Sequence, residues 1–199
     1  MGIEAGTHSF TKLCSVQPDM NTTSLSQFFA GIQKPELGPG PRFGIRPLPV
    51  LNRELEEWLA PSGLTEIRAN LLRAAILLWH DHHDAAHSIV QDVETKDASY
   101  IHAILHRREP DYGNAKYWFH RVGRHPCFIE LASKSSALLN AKGVTPLARK
   151  LIASGDWDSI AFVDACEDAG RELTPSVRSH LLREIQQIEF EVLFAYLAR

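Results

Sequence analysis

Apolar residues recur at helical spacing through most of the chain after residue 52. This spacing predicts amphipathic helices, and no segment alternates apolar and polar residues for long enough to predict more than a short hairpin. Caps, prolines and glycines divide the pattern into helices at 53–59, 66–92, 97–108, 114–122, 127–140, 145 onward, 156–169 and 174–198. The sequence therefore predicts an all-α fold, a compact multi-helix bundle of about seven to eight helices.

The first 51 residues differ from the rest of the chain and are predicted to form an extended N-terminal arm. The arm begins with a polar, aperiodic stretch, followed by a short predicted helix at 24–33 that Thr23 would cap. Residues 34–50 are rich in proline and glycine, which disfavour both a helix and a central strand. We expect this arm to run over the surface and wrap a single helical domain formed by residues 52–199.

Composition narrows the classes of protein that the chain can belong to. Its 199 residues, 44% of them hydrophobic, can bury one sizeable core, and a net charge of -3 argues against a nucleic-acid partner. The longest apolar run, 74–79, is far too short for a membrane span, and the N-terminus lacks the pattern of a signal peptide. The cysteines are too widely spaced to indicate a disulfide framework or a thiolate zinc site; they are Cys14, Cys127 and Cys166. We expect a soluble, cytoplasmic protein.

Histidines are concentrated in the window from residue 79 to residue 126, which holds eight of the ten. His83 and His87 are four residues apart on one predicted helix, and His102 and His106 repeat this spacing on the next. Residues four apart lie on the same side of a helix, and a short connection favours antiparallel neighbours. The two pairs are therefore predicted to face each other across one groove.

Two such pairs are a suitable ligand set for a divalent transition metal, with zinc or iron favoured, because neutral imidazole nitrogens bind these ions. A nearby oxygen could complete the shell or orient an imidazole; the candidates are Asp84, Gln91, Glu109 and Asp111. The pattern is neither the His-Glu-x-x-His of zinc proteases nor the Glu-x-x-His of di-iron bundles. An alternative ligand set takes His80, His83 and His87 from one helix only.

A basic and aromatic segment follows the second histidine pair. Guanidinium groups bind carboxylate or phosphate, so Arg107, Arg108 and Arg121 are candidates for binding an anionic substrate. The side chains that could wall such a pocket are Tyr117 and Trp118, and the candidate proton carriers are Glu109 and His120. In the alternative interpretation the arginines are surface residues paired with neighbouring acids, and the aromatic side chains belong to the core.

These patterns favour a small metal-dependent enzyme that hydrolyses, or adds to, a small anionic compound at a histidine-rich site between two helices. One alternative is a non-catalytic protein that binds or senses a metal or haem. Another is a helical interaction protein whose histidines are structural. The C-terminal helix carries extra apolar surface at Phe190 and Phe194, which could bury against the arm or form a homodimer contact.

Overall fold

The structure is a computed structural model that describes residues 25–199, and it confirms the predicted all-α class. A single 3-10 turn, Ser26–Phe28, stands where the short helix of the arm was predicted, and the proposed cap Thr23 lies outside the described residues. The helices of the described part are α1 (Leu48–Leu59), α2 (Glu66–Trp79), α3 (His83–Val90), α4 (Lys96–Arg108), α5 (Tyr112–Val122), α6 (Cys127–Ala141), α7 (Thr145–Leu151), α8 (Ser159–Gly170) and α9 (Val177–Leu197). Between α7 and α8, β1 (Ile152–Ala153) and β2 (Asp156–Trp157) form a small antiparallel hairpin in which Ile152 pairs with Trp157.

The C-terminal helix α9 packs against three other helices, α2, α6 and α8. Its capping box at Ser176 and Ser179 fixes the start of the helix by satisfying backbone N–H groups that have no partner within the helix. Phe190 and Phe194 are buried against Trp79 of α2, and Phe194 also stacks on Phe29 of the arm at 4.7 Å. These two rings are therefore covered by the chain itself and are not available for a dimer contact. Among the described residues, no helix combines the length and apolar character needed to cross a bilayer.

The continuous helix predicted from residue 66 to residue 92 is wrong, because the chain breaks between α2 and α3. Asp81 adopts a left-handed backbone conformation with φ of +62°, a region that Asp and Asn tolerate better than most residues. Its fully buried carboxylate accepts from Arg42 Nε at 2.9 Å and from Arg108 Nη2 at 2.6 Å. The break therefore replaces helical hydrogen bonds with a buried, charge-assisted cluster that joins the arm, the break and α4.

Histidines on either side of Asp81 fasten the described part of the arm to the bundle. His80 is fully buried, and its Nε2 lies 2.8 Å from the carbonyl oxygen of Phe28. The Nε2 of His82 lies 2.8 Å from the carbonyl oxygen of Arg46. On the other side of the arm, Gln186 of α9 donates to the carbonyl oxygen of Glu36 at 2.9 Å. Polar contacts to backbone carbonyls thus hold a segment that has almost no secondary structure of its own.

Candidate metal centre

Two helices supply a cluster of three imidazoles. His102 and His106 lie one turn apart on α4, and His87 reaches them from the packed neighbouring helix α3. One nitrogen from each ring can be chosen so that all three lie within 4.8 Å of one another. The structure thus brings together three of the four predicted metal ligands, one from the first pair and both from the second.

The rings are held in their positions by contacts with one another and with an aromatic neighbour. His102 is stacked between His106, at a centroid distance of 4.8 Å, and Trp118 of α5, at 4.0 Å. The ring of His87 meets that of His102 edge-on at 4.6 Å. Trp118 was predicted to wall a substrate pocket, and in the structure it contacts a candidate metal ligand directly. This packing limits the rotation of His102, so that at least one ligand needs little reorganisation.

Burial leaves imidazole nitrogens in the cluster without hydrogen-bond partners. Within residues 25–199, neither ring nitrogen of His102 nor Nδ1 of His106 has a partner, although both residues are more than nine-tenths buried. Burial, reinforced by the neighbouring His106 and His87, lowers the pKa of His102 to about 4, and burial also lowers the pKa of His106. Both rings are therefore neutral near pH 7 and can offer a lone pair, while their unpaired nitrogens make the ligand-free site costly.

The spacing of the nitrogens suits a single ion after a small adjustment. Tetrahedral zinc with bonds of about 2.0–2.1 Å requires ligand nitrogens about 3.4 Å apart. The observed upper limit of 4.8 Å is larger than this separation, so an ion would draw the rings closer together, and the half-buried His87 is the least enclosed of the three. Three imidazoles also leave one tetrahedral position for water or substrate, as in catalytic zinc sites.

His83, the fourth predicted ligand, lies beside the cluster and faces a carboxylate. Its Nδ1 is 3.7 Å from Oε1 of Glu109, whose other oxygen, Oε2, is 3.3 Å from Nδ1 of His106. Partial burial raises the pKa of Glu109, and the charges of Asp84 and Asp111 add to this shift. Burial and the nearby Arg108 guanidinium lower the pKa of His83 to about 4. A carboxylate therefore sits between two neutral imidazoles at the edge of the cluster.

One neighbour of the cluster was not singled out from the sequence. The side-chain nitrogen of Asn114, in the first turn of α5, lies 3.1 Å from Nε2 of His106. Asn114 follows His106 by eight residues across the turn at Pro110, so no helical period relates them. Its position depends on the packing of α5 against α4, which the sequence pattern does not reveal.

Two of the candidate substrate-binding arginines are committed to the protein interior. Arg107 is fully buried and forms a two-pronged ion pair with Glu189 of α9, with distances of 3.1 Å and 2.5 Å. Arg108 is also fully buried and contacts Asp81 together with backbone carbonyls of α2 and the arm. Neither guanidinium has a free side for a substrate. The alternative interpretation, in which these arginines are surface residues paired with neighbouring acids, does not describe them either. Their acidic partners are buried and lie far away in the sequence.

The third arginine, Arg121, lies on the exposed surface of α5 above the aromatic side chains. Its Cζ is 5.3 Å from the centre of the Trp118 ring and 6.0 Å from that of Tyr117, a half-exposed ring. In the described part of the chain no carboxylate forms an ion pair with it, so this cation is free to meet an anion. His120, by contrast, is exposed and lies about 200° around α5 from Trp118, away from the cluster.

His80 does not join the cluster, because both of its ring nitrogens face the arm. The three converging histidines therefore come from two helices and not, as in the alternative ligand set, from one. No family model matches the chain, and no curated protein and no solved structure is detectably similar to it. The geometry of the cluster is thus the only basis on which a function can be inferred.

Proposed function

We propose that this protein is a metal-dependent enzyme that binds one divalent transition metal through His87, His102 and His106. The observation that carries this proposal is the convergence of three ligand nitrogens within 4.8 Å, in a place where the buried ring nitrogens of His102 have no hydrogen-bond partner among residues 25–199. A bound ion would satisfy such lone pairs, which offsets the free-energy cost of burying them. Zinc and iron both fit a set of three imidazole ligands.

The reaction class that this arrangement supports best is hydrolysis of, or addition to, a small anionic compound. A three-histidine metal with an open position lowers the pKa of bound water and polarises a substrate oxygen. Glu109 is part-exposed and contacts His106, so it is the residue at this edge that can accept a proton from the reacting groups. Arg121 supplies an unpaired positive charge held against Trp118, which itself packs on His102, and this favours an anion as the substrate.

The first test is elemental analysis of protein purified without an affinity tag, alongside the His102→Ala/His106→Ala double variant. We expect about one equivalent of a transition metal in the parent protein and none in the variant. The matched control is His120→Ala, which removes an exposed histidine that has no contact with the cluster and should keep the metal. Circular dichroism of all three proteins separates loss of metal from loss of fold.

Three other outcomes would redirect the proposal. A parent protein that takes up no zinc, iron, cobalt or copper even after reconstitution would refute it and leave structural histidines. A metal without any exchangeable coordination position would favour the non-catalytic binding or sensing protein. Retention of metal by the double variant would place the ion elsewhere in the chain.

A further inference from the structure

The carboxylate of Glu109 occupies a position that determines which nitrogen of His106 can bind a metal. Oε2 of Glu109 lies 3.3 Å from Nδ1 of His106, and Asn114 Nδ2 lies 3.1 Å from the opposite ring nitrogen, Nε2. A neutral imidazole carries one proton, and the Asn114 amide, which donates to the lone pair of Nε2, assigns that proton to Nδ1. Oε2 of Glu109, which can only accept, lies within 3.3 Å of this nitrogen, although the two are not aligned as a hydrogen bond in this structure.

We infer that Glu109 is a positioning residue that fixes His106 with its proton on Nδ1 and thereby presents Nε2 to the metal. This inference rests on the proposed function, since it describes how one of the three proposed ligands is oriented. A carboxylate that accepts from the far nitrogen of a metal-bound histidine fixes the tautomer and increases the basicity of the ligand. When the metal binds, it takes the lone pair that the Asn114 amide contacts in this structure.

His83 completes the arrangement from the other side of the carboxylate. Its Nδ1 lies 3.7 Å from Oε1 of Glu109, and its side chain is only 10% exposed. The carboxylate therefore lies between two imidazoles, one on α3 and one on α4. This gives His83 a place in the site although it lies outside the group of three converging nitrogens. The histidine pair of α3 is thus divided, with His87 in the converging group and His83 beside the carboxylate of Glu109.

A matched control is available two residues after Glu109. Oδ2 of Asp111 lies 3.9 Å from the same Nδ1 of His106, but its side chain is more exposed than that of Glu109, 55% against 34%. Asp111 also caps α5 by accepting from the backbone N–H of Asn114. Asp111→Asn keeps that cap, because asparagine is an equally good N-cap, and removes the charge. It therefore changes the local electrostatic field without removing the proposed contact.

The experiment compares the zinc affinity of the full chain with that of Glu109→Ala, Glu109→Gln and Asp111→Asn, by competition with a chelating indicator. We expect Glu109→Ala to weaken binding by about 10–100-fold, the effect typical of removing such an outer-shell partner. Glu109→Gln should lose less, because its amide oxygen still accepts from Nδ1, and Asp111→Asn should stay close to the parent. Nitrogen NMR of the metal-free protein should report the Nδ1-protonated tautomer of His106 in the parent, and a larger share of the Nε2-protonated tautomer in Glu109→Ala, where only the Asn114 contact still opposes it.

The possible results separate this inference from the proposed function. If the parent binds zinc and Glu109→Ala binds it equally well, the positioning role is wrong while the metal site stands. If the cobalt-loaded Glu109→Ala protein shows an altered ligand-field spectrum, Glu109 is a direct ligand, which also overturns the inference. If the parent binds no metal, the proposed function itself fails. Support requires the affinity loss, the partial rescue by glutamine and an unchanged cobalt spectrum together.

Discussion

Asp81 is the residue whose charge the fold depends on most clearly, and Asp81→Asn tests that dependence. Its side chain is fully buried and accepts three hydrogen bonds, from the backbone N–H and Nε of Arg42 and from Nη2 of Arg108. The side chains of both arginines are almost completely buried as well. Asparagine keeps the size of the side chain and tolerates the left-handed backbone, so the substitution removes the charge and replaces one acceptor oxygen by an NH2 group that faces a guanidinium.

The expected cost is about 3–5 kcal/mol, because removing one partner of a buried ion pair leaves an uncompensated charge inside the protein. With an m-value of about 2 kcal/mol/M, this cost lowers the urea midpoint by roughly 2 M. The midpoint is measured by tryptophan fluorescence and circular dichroism at pH 7. Asp84→Asn is the control, since it removes an exposed acid from the first turn of α3 and should cost at most about 1 kcal/mol.

A cost for Asp81→Asn no larger than that of the control would refute the reasoning. It would mean that the two guanidiniums are compensated without the carboxylate, by backbone carbonyls alone. A changed m-value with an unchanged urea midpoint would indicate that the substitution releases the arm and not the whole bundle.

Two further predictions concern the same region. In metal-free protein, the free energy of unfolding should be constant above about pH 6.5 and should fall between pH 6.5 and 4. The fall is on the order of 3 kcal/mol for each histidine whose pKa burial lowers from 6.5 to about 4. These histidines are His80, His83 and His102. The sign follows because the unfolded chain takes up these protons first as the pH falls, and equal urea midpoints at pH 7 and pH 5 would contradict it. Gly40→Ala should destabilise the protein more than Gly44→Ala. Both glycines have φ near +80°, but a Cβ at Gly40 would lie 2.6 Å from Oδ2 of Asp81, whereas a Cβ at Gly44 would meet nothing within 4 Å. Gly44→Ala should therefore cost only the backbone strain of roughly 1–2 kcal/mol, and equal urea midpoints for the two variants would show that the arm moves aside.

The helices and the pairing of histidines could be predicted from the sequence because both depend on local spacing. His102 and His106 share a side of α4 wherever that helix packs, and the short connection brings α3 alongside it. The break at Asp81 could not be predicted in this way, because its causes are hydrogen bonds to Arg42 and Arg108, 39 and 27 residues distant in sequence. No glycine or proline marks the position, so local helix propensity predicts that the helix continues through Asp81.

The same distinction, between local spacing and long-range contacts, explains why the burial of Arg107 and Arg108 could not be predicted from the sequence. Consecutive basic residues in the last turn of a helix are typical of a solvated end, where they interact favourably with the helix dipole. Here Arg107 forms an ion pair with Glu189, which lies 82 residues away on α9. Such a partner becomes visible only once the packing is known, and the burial of both guanidiniums removes them from the candidate substrate site. Arg121, whose surroundings are its own helix neighbours, is the one arginine for which the sequence reasoning still supports a role at the site.

The break at Asp81 also divides one run of histidines between two tasks. His80 and His82 hold the arm, whereas His83 and His87, on the far side of the break, face Glu109 and the imidazoles of α4. In an uninterrupted helix, a constant rotation per residue would fix the direction of the second pair relative to the first. A single face of that helix could not have contacted both the arm and the imidazoles of α4. Arg108 joins the two tasks physically, since it contacts both Asp81 and the arm and belongs to the helix that carries His102 and His106. The contacts that anchor the arm therefore include a residue of α4, the helix that carries two of the three imidazoles.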